Sequence, residues 1–306
     1  MSGRLLVATD GREGAHGAFG VAASLAERDG LDVDVLTVVE PLAADAGFLV
    51  EFPHRTEIER ARAEELLARV ARHIDDTVTS AADWQVGLEV GHPAATIACV
   101  AREQDATMIV LDVDHHDAAG NKIALEVIQL SHVPVLTARE CESNCLRNAV
   151  VGLDFSEASR DAVRLALSTV GPEGRVRLAH VRPKLDFPAA LLWNWNDGYS
   201  REVERRFLEM EADLVVPPGL DLQRVSLDGE PAAELMALAE REDADLIVTG
   251  GSGHTFRDRV LIGSVARRLL ADASCAVLTT TPVRSSFHSP SISLRAAKRQ
   301  SLAQVL

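Results

Sequence analysis

The residues best suited to chemistry lie in one stretch of the C-terminal half. Thr249-Gly-Gly-Ser-Gly253 is followed, nine residues on, by Gly263-Ser264, giving the pattern G-x2-G-x9-G-S. Glycines let a backbone approach phosphate oxygens closely and turn its amides into a concave donor set. Gly263-Ser264 precedes the apolar-periodic run Val265–Leu270 and so opens a predicted helix, whose unpaired N–H groups and dipole attract an anion. Ser264 adds a hydroxyl. Taken singly these residues would be a turn and an N-cap; taken together they point to phosphate binding. Asp154 ends the short apolar run Asn148–Leu153, where it can accept from a sugar hydroxyl or cap a helix beginning near Ser156.

Other candidates are weaker. Asp112-Val-Asp-His-His-Asp117 could hold a divalent metal through carboxylate and imidazole, but clustered acids in a turn are more often solvated, and the metal assignment stays unknown. Cys141 and Cys145 form C-x3-C with no second ligand pair beside them. No nucleophile, base and orienting group can be assembled. The histidines are scattered, His254 alone falls inside the glycine motif, and no Walker-type lysine is present. No catalytic residue is assigned.

The elements that must position these groups repeat. Arg4–Asp10 matches Asn148–Asp154, and Gly91–Val110 runs parallel to Gly229–Val248 as turn, helix and strand. Pro93 and Pro231 suit the first turn of their helices. His132–Thr137 parallels Ser274–Thr279 as a last strand. Strands are expected at Leu5–Ala8, Val33–Val38, Gln85–Glu89, Met108–Leu111 and Val133–Thr137, then at Ala149–Leu153, Arg175–Val181, Leu222–Ser226, Leu246–Thr249 and Ala276–Thr279. Helical patterns between them imply right-handed crossovers. The fold class is therefore α/β, with two tandem doubly wound domains, each a five-stranded parallel sheet flanked by helices. The expected divisions are a domain at 1–140, a linker at 141–146, a domain at 147–283 and a basic tail at 284–306.

Composition sets outer bounds. The 306 residues suffice for two domains, and 47% hydrophobic against 25% charged residues is the balance of a folded chain. A formal charge of −15 disfavours nucleic acid and anionic membrane as partners, while a local amide-lined pocket still accommodates phosphate. The opening apolar run is too short for a leader or membrane span, so a cytoplasmic location is expected. Phe187–Tyr199, with Trp193 and Trp195, reads as a loop-like insert covering an apolar edge. The tail, with Arg284, Arg295, Lys298, Arg299 and no acid, reads as a loose end or as an amphipathic helix over Leu294–Leu306.

The run from Asp245 through Gly250, Gly253, Gly263 and Ser264 to Leu278, with Asp154-Phe-Ser-Glu157 and His180-Val181, resembles the nucleotide-binding branch of the universal stress protein family over about 147–283. The resemblance implies the adenine nucleotide alpha hydrolase-like fold. It places adenine and ribose near Gly152, Asp154 and Val181, and phosphates at Gly250, Gly253, Gly263, Ser264 and Val265. Leu153, Thr249 and Gly251 complete the implied nucleotide-binding set. ATP or another adenine nucleotide, with or without Mg²⁺, is the implied ligand, and stress-response sensing the implied function. The alternatives are a slow ATPase or phosphotransferase, or a scaffold that binds no nucleotide. An unknown protein partner is implied, as are an internal pseudo-dimer through Val133–Thr137 and Ala276–Thr279 and a further homodimer. The N-terminal half departs from the pattern. Asp112-Val-Asp-His115 stands where Gly250–Gly253 does, and Asn121-Lys122 falls opposite Gly263-Ser264 across a loop four residues shorter, so no phosphate site is expected there.

Overall fold

The structure is a computed structural model that describes residues 3–12, 16–40, 55–79, 81, 83–113, 118–139, 145–182, 195–251, 262–280 and 292–294. The chain divides into two compact units, Met1–Cys145 with Val283–Leu306, and Leu146–Pro282. The first contains β1 (Arg4–Ala8), α1 (His16–Asp29), β2 (Asp32–Val39), α2 (Arg55–Thr77), β3 (Gln85–Val90), α3 (Pro93–Glu103), β4 (Met108–Asp112), α4 (Ala118–Leu130) and β5 (Val135–Ala138). The second contains β6 (Asn148–Leu153), α5 (Glu157–Val170), β7 (Arg175–Arg182), α6 (Trp195–Ala212), β8 (Asp221–Asp228), α7 (Pro231–Arg241), β9 (Leu246–Gly250), α8 (Ser264–Asp272) and β10 (Ala276–Thr280). A short β11 (Ile292–Leu294) belongs to the first unit.

Within the first unit the strand order is β3-β2-β1-β4-β5, and within the second it is β8-β7-β6-β9-β10. The paired strands of these orders run parallel. Central strands read as continuous apolar runs because both faces are covered: Leu5, Leu6 and Val7 of β1 and Leu246, Ile247 and Val248 of β9 are each at most 1% exposed. The direction of winding reverses at β1/β4 and at β6/β9. Right-handed crossovers then send α1 and α2 over one face and α3 and α4 over the other, in keeping with the packing of α1 on α2 and of α3 on α4.

The ten expected strands are present among the described residues, with shifted ends. The fifth starts at Val135 rather than Val133, because Ser131 Oγ donates to the Val133 carbonyl at 2.7 Å and accepts its N–H at 3.1 Å, a local turn that competes with the ladder. Two expectations change. The insert at Phe187–Tyr199 is helical from Trp195, where α6 begins; Glu202, Arg205, Arg206 and Glu209 pair along that helix at i,i+3 and i,i+4 spacing. Its start at 187–194, Trp193 included, lies outside the described residues. The tail contains β11, which runs antiparallel along the edge of β3, where a loose end was expected; the helix expected over Leu294–Leu306 falls, beyond Leu294, outside the described residues. An edge strand with open backbone groups accepts a further strand whatever its intrinsic propensity. Residues 295–306 lie outside the described residues.

Local sterics at two glycines yield a paired prediction. A Cβ at Gly174 would sit 2.1 Å from Val170 Cγ1 and 2.7 Å from the Arg147 carbonyl oxygen, whereas at Gly198, inside α6, nothing lies within 4 Å. Gly174→Ala is expected to lower the unfolding midpoint of the second unit by about 3–8 °C through overpacking. Gly198→Ala should raise it by roughly 1–3 °C by removing helix-interior flexibility. Differential scanning calorimetry of the two variants checks both signs.

Candidate functional site

The second unit holds a pocket of about 360 Å³ where the carboxyl ends of β6, β7 and β9 meet the first turns of α5, α7 and α8. This is the crevice that the winding reversal opens between β6 and β9, the usual ligand position in such sheets. Its lining brings together Gly152, Leu153, Asp154, Val181, Thr249, Gly250, Gly263, Ser264 and Val265, nine of the eleven residues expected from sequence. Gly251 is beside it but does not line it. Gly251 is packed against β10, its N–H donating to Thr280 Oγ1 at 3.4 Å, and a Cβ there would lie 2.2 Å from the Thr280 carbonyl oxygen. Gly251 is therefore a packing glycine. Gly253 and His254 lie outside the described residues, as do the rest of 252–261.

The first wall comes from the end of β6. Asp154 Oδ1 accepts the Ser156 N–H at 2.9 Å, and Ser156, the N-cap of α5, accepts the Ser159 N–H through its hydroxyl at 3.2 Å. Asp154 is thus not the cap. It holds the turn that presents the cap, and its carboxylate remains exposed at the pocket. Between them Phe155 takes a left-handed φ of 62°, a conformation costing a non-glycine residue about 1–2 kcal/mol. Its ring lies 4.8 Å from His180 at a tilt of 38° and meets Phe207 edge-on at 5.2 Å, contacts that offset that cost.

The second wall is β7. Its ladder with β6 stops at His180, while that with β8 continues to Arg182, so Val181 lies beyond its last β6 partner with its side chain only 8% exposed. The third wall is β9 and α8. A Cβ on Gly250 would come within 3.0 Å of Ala158 Cβ and 3.1 Å of the Ala158 carbonyl carbon, so α5 can approach β9 only over glycine. Gly263 donates its N–H to the Gly251 carbonyl at 3.1 Å, bringing the start of α8 to the end of β9.

Gly263 is unlike the other pocket glycines. As N-cap of α8 it has φ −57° and ψ 149°, which any residue adopts, and a Cβ there would meet nothing within 4 Å. Neither backbone strain nor packing against the described residues requires glycine. It also leaves α8 without a side-chain cap, whereas α5 is capped by Ser156 and α7 by Glu230, which accepts from Ala232 and Ala233 N–H. The first N–H groups of α8 open onto the pocket beside the Ser264 hydroxyl. An anion there would gain about 0.3–1 kcal/mol from the helix end alone, and up to ~2 kcal/mol where partly buried.

Sequence reasoning did not assign Ser156, Ser159, Ala179, His180, Pro231, Leu235 or Ala266 to the lining. Leu235 was detectable in principle: it follows Pro231 by four residues, one helical turn, on the face that meets Gly152, where a Cβ would lie 2.8 Å from Leu235 Cδ1. His180 depends on tertiary contacts. Its Nδ1 lies 2.8 Å from the Leu153 carbonyl oxygen and its Nε2 2.7 Å from the Tyr199 hydroxyl. The carbonyl can only accept, so Nδ1 carries a proton and, in the neutral ring, Nε2 accepts from Tyr199. Burial pushes the ring below the ordinary histidine value and Arg206 adds to this, against the opposing pull of the Leu153 carbonyl and Asp154.

The corresponding place in the first unit is built differently. Asp10 Oδ1 accepts the Arg12 N–H at 3.0 Å, the same turn as at Asp154, with Gly11 at φ 69° in the position of Phe155. At the end of β4, Asp112 and Val113 occupy the positions of Gly250 and Gly251. Helix α4 begins at Ala118, so Asn121 and Lys122 sit inside it rather than at its open end. Residues 114–117 of the acidic run lie outside the described residues, as does Cys141. Among the described residues no group of three or more His, Cys, Asp or Glu side chains could hold a metal, and no helix is long and apolar enough to cross a membrane.

Two copies of one doubly wound unit, the second with an open crevice at its winding reversal, define a tandem α/β protein. The sequence matches the Universal stress protein family over residues 1–139 and again over 146–280, and the chain belongs to that family. A universal stress protein of Methanocaldococcus jannaschii is 32% identical over 128 residues, 42% of this chain and 75% of the relative. One from Methanothermobacter thermautotrophicus is 37% identical over 71 residues, 22% of this chain and 48% of the relative. Among solved structures, a universal stress protein from Archaeoglobus fulgidus has the same fold, with a TM-score of 0.62 at 19% identity over 91% of this chain and 96% of that one.

His180 generates a pH prediction. Its folded pKa is depressed below 6.5, so its contribution to stability is complete above the unfolded value and is lost as pH falls from there through the lower folded value. Lowering pH from about 7.5 to about 5.5 should reduce the midpoint of the second unit, and His180→Gln should make that reduction smaller. Calorimetric scans of both proteins at the two pH values test this; equal reductions would remove His180 as the titrating group.

Proposed function

We propose that the second unit binds an adenine nucleotide, ATP with Mg²⁺ in the working form, and that occupancy regulates a stress-response partner. The observation that carries this reading is the start of α8. Gly263 is neither strained nor packed by the described residues, leaves its helix uncapped, and faces a cavity whose other walls offer groups suited to a nucleoside. Phosphates would lie over the backbone of Gly250, Gly263 and Val265 with the Ser264 hydroxyl as a further donor. Asp154 would accept from a ribose hydroxyl, while the Val181 backbone would meet the adenine edge and its side chain the ring. A volume of about 360 Å³ falls in the range of small-molecule pockets. A universal stress protein from Archaeoglobus fulgidus has been solved in complex with dAMP. In the first unit, Asp112 would oppose the same phosphates by charge, so one site per chain is the expected number.

Calorimetric titration of nucleotide-stripped protein with ATP and Mg²⁺, beside Gly263→Asp, tests the proposal. Aspartate is a favoured N-cap, so the ligand-free variant should melt no lower than the parent while its carboxylate occupies and repels the phosphate position. We expect one site per chain and at least a tenfold loss of affinity in the variant, about 1.4 kcal/mol. Two sites would restore nucleotide binding to the first unit. No heat and no thermal shift with ATP, ADP or AMP would leave a scaffold that binds no nucleotide.

A further inference from the structure

Helix α8 brings its uncapped start to the pocket, and it is short. Nine residues make about two and a half turns, below the length at which a helix sustains itself in water, so its position is set by its contacts. One set is apolar. Ala266, Leu269 and Leu270 are each at most 1% exposed, and Gly263 adds its N–H bond to the Gly251 carbonyl.

The other set is ionic. Arg268, one turn beyond Ser264, donates from Nη1 to Glu230 Oε2 at 2.8 Å. The same oxygen accepts the Ala233 N–H at 2.8 Å, and Oε1 accepts that of Ala232 at 3.3 Å, so one carboxylate caps α7 and grips α8. Asp272 lies 3.4 Å from Arg268 Nε and steadies the guanidinium. Helix α7 is itself fixed on the sheet, with Leu235 2% exposed. It lines the pocket with Pro231, next to Glu230, and with Leu235; α8 lines it with Ser264, Val265 and Ala266. The ion pair thus joins the two helices whose first turns form these walls.

The first unit has a counterpart at the same two positions. His92 precedes Pro93 as Glu230 precedes Pro231, and Glu126 stands six residues before His132 as Arg268 stands six before Ser274. The signs are exchanged, with imidazole before α3 and carboxylate on α4. There the contact is loose: His92 Nε2 lies 4.0 Å from Glu126 Oε2, and the His92 side chain makes no cap bond. It is drawn to hydrogen-bond length in the unit whose last helix starts at the winding-reversal pocket.

We propose that Glu230 and Arg268 are positioning residues of the nucleotide site, holding the start of α8 where its amides meet the phosphates; this rests on the nucleotide reading of that pocket. Neither residue lines the pocket, and both side chains are half-exposed. A ligand gains from such a contact no more than the contact is worth, which for an exposed pair sets the expected loss at about two- to fivefold in affinity.

The test is calorimetric titration of the full chain and of Glu230→Gln, Arg268→Gln, Arg268→Lys and the double Gln variant with ATP and Mg²⁺, and with adenosine. Glu230→Gln is decisive because two causes give opposite signs. A carboxylate acting on the phosphates by charge alone repels them, so its removal would tighten ATP binding. As a positioning residue it is replaced by an amide that still offers an oxygen to the α7 cap but loses the ionic grip, and ATP binding weakens about two- to fivefold. Adenosine, which has no phosphate, should bind the variants as it binds the parent. Arg268→Lys should recover part of the affinity lost in Arg268→Gln, and the double variant should lose no more than either single one, since one contact is removed once. Unchanged or tighter ATP binding by Glu230→Gln, additive losses in the double variant, or an equal loss for adenosine overturns the positioning role while the nucleotide reading stands. A parent that binds no ATP overturns both.

Discussion

Parallel strands cannot be joined by hairpins, so each connection must carry a helix across one face of the sheet before the next strand begins. Where the winding changes direction, successive helices leave to opposite sides and the strand ends between them stay uncovered. Both units have this reversal, at β1/β4 and at β6/β9. The crevice is thus a consequence of topology before any particular residue is considered. Its use depends on what stands at the strand ends and at the helix that starts beside them.

The two units answer that question in opposite ways on the same frame. In the second, Gly250 lets α5 approach β9 closely, and α8 starts at the uncapped Gly263. In the first, a carboxylate ends β4 and α4 begins at Ala118, which takes the amides of Asn121 and Lys122 into the helix interior. An amide inside a helix is already hydrogen-bonded and has nothing left to offer an anion. The Asx-type turn after the first strand persists in both units, at Asp10 and at Asp154, because it shapes the strand-to-helix connection. A shared residue there marks shared folding rather than shared chemistry.

Buried polar groups follow the same contrast of solved and open accounts. In the second unit Arg177, 8% exposed, is held by Asp221 at 3.0 Å and Glu242 at 2.9 Å, fixing β7 to β8 and to the end of α7. His180 is satisfied at both ring nitrogens. These groups are embedded in hydrogen bonds of their own, while the start of α8 lines the pocket with no side-chain cap. In the first unit Glu89 Oε2, near the end of β3, and Gln104 Oε1, at the C-cap of α3, are buried without a hydrogen-bond partner.

The alternation of apolar runs and helical patterns, repeated once, was sufficient by itself to determine ten strands, their parallel pairing and the winding reversals, because hydrophobic burial and right-handed crossovers leave few other arrangements. Nine of the eleven residues that glycine spacing and the family resemblance nominated line one pocket of the second unit. Sequence could not separate Gly251, required by the Thr280 carbonyl, from Gly263, which no neighbour among the described residues requires; a glycine's reason lies in atoms that are distant along the chain. His180 and Leu235 entered the lining for the same cause, since each depends on which helix or strand it faces. The edge strand at Ile292–Leu294 was decided by the open hydrogen-bonding edge of β3, some two hundred residues earlier, and not by a pattern in its own three residues. Local pattern determined the elements; only the tertiary structure decided which groups they leave without a partner, because satisfaction of a donor or acceptor is settled by three-dimensional proximity and not by residue type.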